Sequence, residues 1–314
     1  IEMGQGTNTK IAQIVANEFG LSFNKVKIST TNTSKVPNTS ASAASSTTDL
    51  NGAAALNAVS KIKQNLEKFI KSKYNISANK VVYENGTFVV VGSGATIITS
   101  PDGTTWTEQT SGTANQFMQV IFGNNTFITT GNSGTILTSQ DGLTWTIQTS
   151  GTTENLRAVA YGNSTFLISG QTAGGLILTS PHGINWTERT TSSSTDQIAN
   201  FGVTYGNSIF ISVGSSGSIF TSSDGTSWTY RTSSASNDTS KSLYDITYAN
   251  NTFVAVGDNG SIVRSTHNGS SFDNVTSPTA NHLYEVTYGN NTFVAVGNNG
   301  NICLLYTSPS PRDS

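Results

Sequence analysis

The feature that most constrains this chain is a repeat. Aligning on the aromatic residue of the "YGN" word places Tyr83, Phe122, Tyr161, Tyr205, Tyr248 and Tyr288 at intervals of 39, 39, 44, 43 and 40 residues. A second landmark keeps step with the first: "SPDGTTW" ends at Trp106, "SQDGLTW" at Trp145, "SPHGINW" at Trp186 and "SSDGTSW" at Trp228, with "THNGSSF" ending at Phe272. Within each unit, runs of four to six residues alternate apolar and polar and are bounded by Gly, Asn, Asp and Ser, as in "NTFITTG" and "GTILTS". That is the pattern of short half-buried strands. Four such strands per unit of roughly 40 residues describe the blade of a β-propeller. The expected fold is therefore mainly β. It comprises five four-stranded blades and part of a sixth, preceded by a small α+β segment, with the four tryptophans largely buried between blades.

The "S-x-D-G-x-x-W" words resemble the Asp-box of BNR-type propellers. In a tight hairpin Asp102, Asp141 and Asp224 can accept backbone N–H bonds of their own turn, the following Gly taking a positive φ. Trp106, Trp145, Trp186 and Trp228 are expected to wedge between blades. These seven residues are read as structural. His182 and Asn268 replacing the acid, and Phe272 replacing Trp, suit a turn and do not suit a shared reaction. A sialidase-like glycoside hydrolase is the remote alternative. It would need clustered arginines, whereas Arg189 and Arg231 both follow their Trp by three residues, on the outer strand, and Arg157 and Arg264 stand at other blade positions. His182, His267 and His282 have no ligand spacing, so no metal site and no catalytic residue is expected here.

Charge separates the two ends. Residues 1–80 hold ten basic and four acidic residues, about +6, whereas residues 81–314 hold six basic and fourteen acidic, about −8, which sums to the net −2. There is no polybasic run, so nucleic acid is not an expected partner. No apolar run is long enough to span a bilayer.

Residues 1–78 follow another pattern. A helix is expected near 8–19, with Ile11, Ile14, Val15 and Phe19 on one face and Gly20 as its stop. A strand at "KVKIST" and a small-residue loop from Asn32 to Ser46 follow. A long amphipathic helix then starts near Thr48 and carries Leu56, Val59, Ile62, Leu66 and Ile70. "EMGQGTNTKIAQIVANEFG" followed by "VPNTSASAASSTTDLNG" resembles the molybdenum-cofactor domain of the xanthine dehydrogenase and aldehyde oxidase family over about 75 residues. The resemblance implies a molybdenum–molybdopterin cofactor in the parent enzyme, contacted at Gln5, Ser42, Ala43, Ala44, Ser45 and Thr47. It also implies iron–sulfur and FAD parts as that enzyme's partners, and a cytoplasmic setting. Small residues let backbone N–H groups reach a large anionic cofactor. The family's catalytic Glu, in a "GxGE"-type motif, is absent from this chain, and its substrate-orienting Glu and Arg would precede the first residue. This chain is therefore expected to bind no cofactor and to be an inactive fragment of an oxidoreductase.

The remaining expectations concern joints. Residues 79–302 are read as truncated propeller repeats with an unknown ligand, of a composition common in extracellular or periplasmic proteins. The meeting of the two patterns at "NISANKVVYENGTFVVVG" is read as an artificial joint of metagenomic origin. The alternative is a genuine secreted or surface repeat protein. "CLLYTSPSPRD" resembles the in-frame translation of a widely used transposase sequencing adapter, so residues 303–314 are read as an artefact tail, and the lone Cys303 as carrying no redox information.

Overall fold

The computed structural model describes residues 13, 80–172, 175–190, 200–231, 241–289 and 292–306. The chain divides into two units, Ile1–Ser77 with Tyr83–Gly86, and Ala78–Val82 with Thr87–Ser314. The expected helices of residues 8–19 and beyond Thr48 fall outside the described residues, apart from Gln13, which is helical and exposed.

From Lys80 onward the described chain is a succession of antiparallel sheets in sequence order. Blade 1 contains β1 (Lys80–Glu84), β2 (Thr87–Val91), β3 (Ile97–Ser100) and β4 (Thr107–Gln109). Blade 2 contains β5 (Phe117–Gly123), β6 (Thr126–Gly131), β7 (Ile136–Ser139) and β8 (Thr146–Gln148). Blade 3 contains β9 (Asn155–Gly162), β10 (Thr165–Gln171), β11 (Leu176–Ser180) and β12 (Thr187–Thr190). Blade 4 contains β13 (Asn200–Gly206), β14 (Ile209–Gly214), β15 (Ile219–Ser222) and β16 (Thr229–Arg231). Blade 5 contains β17 (Leu243–Ala249), β18 (Thr252–Gly257), β19 (Ile262–Ser265) and β20 (Asp273–Asn274). The sixth sheet has three strands, β21 (Leu283–Gly289), β22 (Thr292–Gly297) and β23 (Ile302–Tyr306). Five four-stranded blades and part of a sixth are thus the fold of this region.

The repeated words each have a physical task. The hairpin joining the first two strands of a blade carries two consecutive positive-φ residues: Asn124 and Asn125, Asn163 and Ser164, Asn207 and Ser208, Asn250 and Asn251. Paired left-handed residues make the two-residue turn whose twist matches its strands, and Asn tolerates that conformation. The "YG" that precedes the turn nests one blade on the next. A Cβ on Gly123 would lie 2.5 Å from the Tyr161 ring, on Gly162 2.0 Å from Tyr205, and on Gly206 2.1 Å from Tyr248. The aromatics of blades 3, 4 and 5 therefore occupy the space left by the glycine of the blade before.

The core lies between the sheets. Each of five buried clusters draws side chains from two successive blades. One joins Val89, Val91 and Ile97 to Phe117, Phe127 and Leu137, with Trp145 packed against it. Another joins Leu167 and Ile177 to Phe210, Phe220 and Trp228. Trp106 and Trp228 are buried, as is Phe272, whereas Trp145 and Trp186 are half-buried. The expectation of four largely buried tryptophans holds in full at Trp106 and Trp228 and in part at Trp145 and Trp186. The indoles of Trp145 and Trp186 pack on their clusters and keep one edge in solvent.

The last strand takes in residues beyond Ile302. In β23 Cys303 pairs with Ala295 and Leu305 with Phe293. Cys303 is buried in the cluster between blades 5 and 6, with Leu305 packed on it. Unlike "IITS" and "ILTS", which are buried throughout, "ICLLY" alternates in burial, with Ile302 and Leu304 exposed and Cys303 buried, as in a strand with one solvent face.

Candidate functional site at the channel

Two places gather polar side chains, and the first is the "S-x-D-G" turn. In blade 1 Asp102 Oδ1 accepts the N–H groups of Thr104 and Thr105, both at 2.8 Å, and the Ser100 hydroxyl at 3.1 Å. Gly103 N–H donates to Ser100 Oγ at 2.8 Å, and Trp106 Nε1 donates to the Gly103 carbonyl at 3.2 Å. Blade 2 repeats this with Ser139, Asp141, Gly142 and Trp145, and blade 4 with Ser222, Asp224, Gly225 and Trp228. The Thr105 and Thr104 amides hold the Asp102 carboxyl well below the usual carboxylate range, and the Ser227 and Thr226 amides do the same for Asp224. The Thr144 amide lowers Asp141 against some desolvation.

In blade 3 His182 takes the acid's place, and Gly183 still donates to Ser180 Oγ while Trp186 donates to the Gly183 carbonyl. Blade 5 corrects the reading of Asn268 as the substitute acceptor. Its turn is one residue longer, with Gly269 reaching back four residues to Ser265 Oγ, and the His267 carbonyl accepts the Ser270 N–H at 3.1 Å. Asn268 instead adopts φ 51° and accepts from Asn207 Nδ2. With one oxygen committed to its own turn, each of these carboxylates holds one hairpin.

The second place is the channel enclosed by the first strands of the blades. A cavity of about 290 Å³ is lined from β5, β9, β13, β17 and β21. Its polar residues are Gln119, Asp245, Glu285, Tyr161, Tyr205 and the threonines Thr204, Thr247 and Thr287, with no Lys, Arg or His among the described lining residues. Two of these side chains also clip neighbouring blades together. The amide oxygen of Gln119 accepts the Val159 N–H at 2.6 Å, and Asp245 Oδ2 accepts the Val286 N–H at 2.9 Å. At the equivalent place in blade 4 Gly202 leaves no side chain, and a Cβ there would lie 2.9 Å from the Asp245 Cα.

A row of larger side chains stands where the inner strands begin. The registers of β5, β17 and β21 slip by one residue at Met118, Tyr244 and Tyr284, and that of β13 slips at Phe201. A β-bulge of this kind re-aims the extra side chain out of the alternation. Aligned on the "YGN" aromatic, the extra residues are Met118, Phe201, Tyr244 and Tyr284, with Arg157 at the same position in blade 3. They form a ladder. The Arg157 guanidinium lies 6.0 Å from the Phe201 ring centroid, Phe201 is 5.7 Å from Tyr244, Tyr244 is 5.4 Å from Tyr284, and His282 stacks on Tyr284 at 6.2 Å.

Hydrogen bonds fix the rungs. Arg157 donates to Gln171 Oε1, with its Nε at 3.1 Å and through Nη2 as well. The Tyr244 hydroxyl donates to Asp258 Oδ1 at 2.6 Å, Ser242 N–H donates to Asp258 Oδ2 at 2.8 Å, and His282 Nδ1 lies 2.8 Å from Asp258 Oδ1. Burial together with the Asp258 carboxylate pushes the Tyr244 phenol up to about 12. Partial burial would raise Asp258, but bonds from Tyr244 and Ser242 and the nearby His282 outweigh it and lower its pKa. Sequence reading had set Arg157 and His282 aside and had not singled out Tyr244 or Tyr284. The signal was present as the residue four before each "YGN" aromatic.

The comparisons fall into two sets that divide the chain. Residues 1–144 match the model of the molybdopterin cofactor-binding domain, and residues 148–282 match a β-propeller domain, DUF6242. The chain joins xanthine dehydrogenase-like and propeller sequence. Xanthine dehydrogenase 1 of Arabidopsis thaliana is 44% identical over 77 residues, 24% of this chain and 6% of that protein. Xanthine dehydrogenase of Dictyostelium discoideum is 47% identical over 75 residues, again 24% and 6%. The chain thus spans a small fraction of the length of these relatives.

Among solved structures, a catalytically inactive virginiamycin B lyase from Staphylococcus aureus with quinupristin aligns with TM-score 0.64 at 13% identity, covering 73% of this chain and 80% of that one. YCF48 bound to D1 peptide aligns with TM-score 0.59 at 15% identity, covering 73% and 76%. These likenesses are of fold. The cofactor-domain match extends over blades 1 and 2, where β1 to β8 pair as the later blades do and carry the same turn networks at Asp102 and Asp141. Over residues 80–144 the strand pairing identifies propeller. Gln5, Ser42, Ala43, Ala44, Ser45 and Thr47 lie outside the described residues.

Proposed function

We propose that residues 79–302 form a non-catalytic binding propeller whose ligand sits at the mouth of the channel, on the ladder of bulge residues. The observation that carries this reading is that four successive blades each spend the bulge position of the inner strand on Arg157, Phe201, Tyr244 or Tyr284. A position that served only packing would continue the Leu and Val of the neighbouring strand residues. Aromatic rings with polar tips are the usual anchors of protein recognition. YCF48, a structural neighbour described as bound to a peptide, supports an extended peptide as the ligand. The "S-x-D-G" turns are Asp-box hairpins with a structural role. The direct test is selection of a random peptide library on the immobilised full chain, beside a Phe201→Ala, Tyr284→Ala double variant. Enrichment on the first and not on the second is expected; equal recovery from both would remove the site.

Residues 1–78 are proposed as a fragment of a xanthine dehydrogenase-type molybdenum hydroxylase, joined artificially to the propeller, with residues 303–314 encoded by adapter. Three observations support this reading: identity to xanthine dehydrogenases of 44% over 77 residues, the onset of repeat sequence at residue 80, and the missing "GxGE" motif. Cofactor contacts at Gln5 and at Ser42–Thr47 belong to the parent enzyme, and no step is assigned to them in this chain. Long reads from the source sample should carry "AVSKIKQNLEKFI" into further hydroxylase sequence, and several independent reads spanning both parts would establish a genuine fusion.

A further inference from the structure

We infer that the mouth of the channel recognises a cationic side chain, arginine or lysine, of an extended peptide, held over the Tyr244 and Tyr284 rings beside Asp245, Asp258 and Glu285. This rests on the reading of the propeller as a binding module and adds the charge of what it binds. Three independent observations carry it.

The first is internal. The blade 3 end of the ladder already holds a cation on an aromatic face, since the Arg157 guanidinium lies 6.0 Å from the Phe201 centroid with Gln171 as its hydrogen-bond partner. The quadrupole of an aromatic ring attracts a cation within about 6 Å of its centre. The ladder continues through Tyr244 to Tyr284, on which His282 stacks, and Tyr284 is 48% exposed, so part of its ring is open to solvent.

The second is the charge of the wall. Among the described residues the channel lining contains two carboxylates, Asp245 and Glu285, and no basic group. Both follow a ladder tyrosine directly in the chain. Asp258, 17% exposed, is bonded to the Tyr244 hydroxyl and to the Ser242 amide and lies 2.8 Å from His282 Nδ1, so its part is to hold the ladder in place while Asp245 and Glu285 supply the charge. A cation entering along the rings meets carboxylates at two successive blades, and an anion would meet them as well, unfavourably.

The third is rigidity. Tyr244 is tied to Asp258, Asp258 to the Ser242 amide, and Asp245 to the Val286 amide of the next blade. A site already fixed before binding loses little side-chain freedom when occupied. Beyond the rings, Thr204, Thr247 and Thr287 offer hydroxyls to the backbone of an extended segment. The acidic balance of residues 81–314 would also draw a basic segment toward the blades.

The test is calorimetric titration of the full chain with acetyl-GRGRG-amide, acetyl-GAGAG-amide and acetyl-GEGEG-amide at low salt. Binding of the arginine peptide is expected to exceed that of the other two and to weaken as salt is raised. Tyr284→Ala should weaken it about five-fold and Tyr284→Phe should leave it nearly unchanged, because the ring face and not the hydroxyl makes the contact. Glu285→Gln, which keeps the side-chain shape, should weaken it as well and serves where Tyr284→Ala disturbs folding. Equal binding of the alanine peptide, preference for the glutamate peptide, or no heat with any of the three would overturn the inference. Of these, preference for the neutral or acidic peptide that is lost in Tyr284→Ala would overturn the charge alone and leave the binding module standing.

Discussion

At the scale of single residues, the "S-x-D-G" turn separates what a carboxylate does from what it is often taken to do. Asp102, Asp141 and Asp224 each spend one oxygen on two amides of their own hairpin. Their pKa values are depressed below the ordinary 3.8, so their contribution to stability is present above that value and is lost as pH falls below it. Unfolding midpoints in urea should hold from pH 7 to about 5 and decline progressively as pH falls below about 4. Asp141→Ala should cost about 1 kcal/mol at neutral pH, a figure already reduced for solvent exposure, and should flatten part of that acid decline. Asn200 is the opposite case. It is fully buried with both polar atoms unpartnered, at the position that Phe117, Leu156, Leu243 and Leu283 fill in other blades. Asn200→Leu is expected to stabilise the protein by about 1–3 kcal/mol, read as a raised melting temperature. A lowered one would mean that the amide has a partner or a packing role of its own.

Elements are held together by features that short words of sequence only half reveal. The strands, the asparagine hairpins and the box turns were legible because alternation and positive-φ residues leave a direct trace at fixed spacing. The nesting of Tyr205 on Gly162 was not, because "YG" shows a tyrosine and a glycine but not that they meet across blades. The resulting prediction is sharp. Gly162→Ala places a methyl 2.0 Å from the Tyr205 ring and should destabilise by about 1–3 kcal/mol, measured by chemical denaturation. In blade 5 Ala249 occupies the same position and packs beside Tyr288, so the cost reflects how far the ring can retreat. The candidate site was illegible for a related reason. A one-residue slip in the pairing of β17 and β21 turns Tyr244 and Tyr284 out of the alternation, and although these residues recur four before each "YGN" aromatic, that offset does not by itself show a slip of register. Insertion hid the blade 5 turn in the same way: "THNG" reads as the box with Asn for Asp, but the extra residue moves the acceptor to the His267 carbonyl.

For the molecule as a whole, what matters is whether 314 residues joining two patterns make one working protein. The blades need only their neighbours, since every described core cluster is shared by two successive blades. A cofactor domain is different, because its ligand is gripped from several segments at once and each missing segment leaves polar groups of the cofactor without partners. The chain covers 6% of the length of xanthine dehydrogenase 1 of Arabidopsis thaliana. Within that portion lie two of the contact motifs that the family resemblance implies, at Gln5 and at Ser42–Thr47, and no "GxGE" glutamate. Loss of a general base alone commonly lowers a rate by about 10²–10⁴. The expected outcome is that the full chain, expressed in a host that makes molybdenum cofactor and then purified, carries no stoichiometric molybdenum by elemental analysis and oxidises xanthine no faster than a buffer blank. The same preparation should still show cooperative unfolding by tryptophan fluorescence, because Trp106 and Trp228 are buried in the blades. Stoichiometric metal in a folded sample would overturn the fragment reading, while absence of metal in an unfolded sample would be resolved by repeating the measurement on protein that passes the fluorescence criterion.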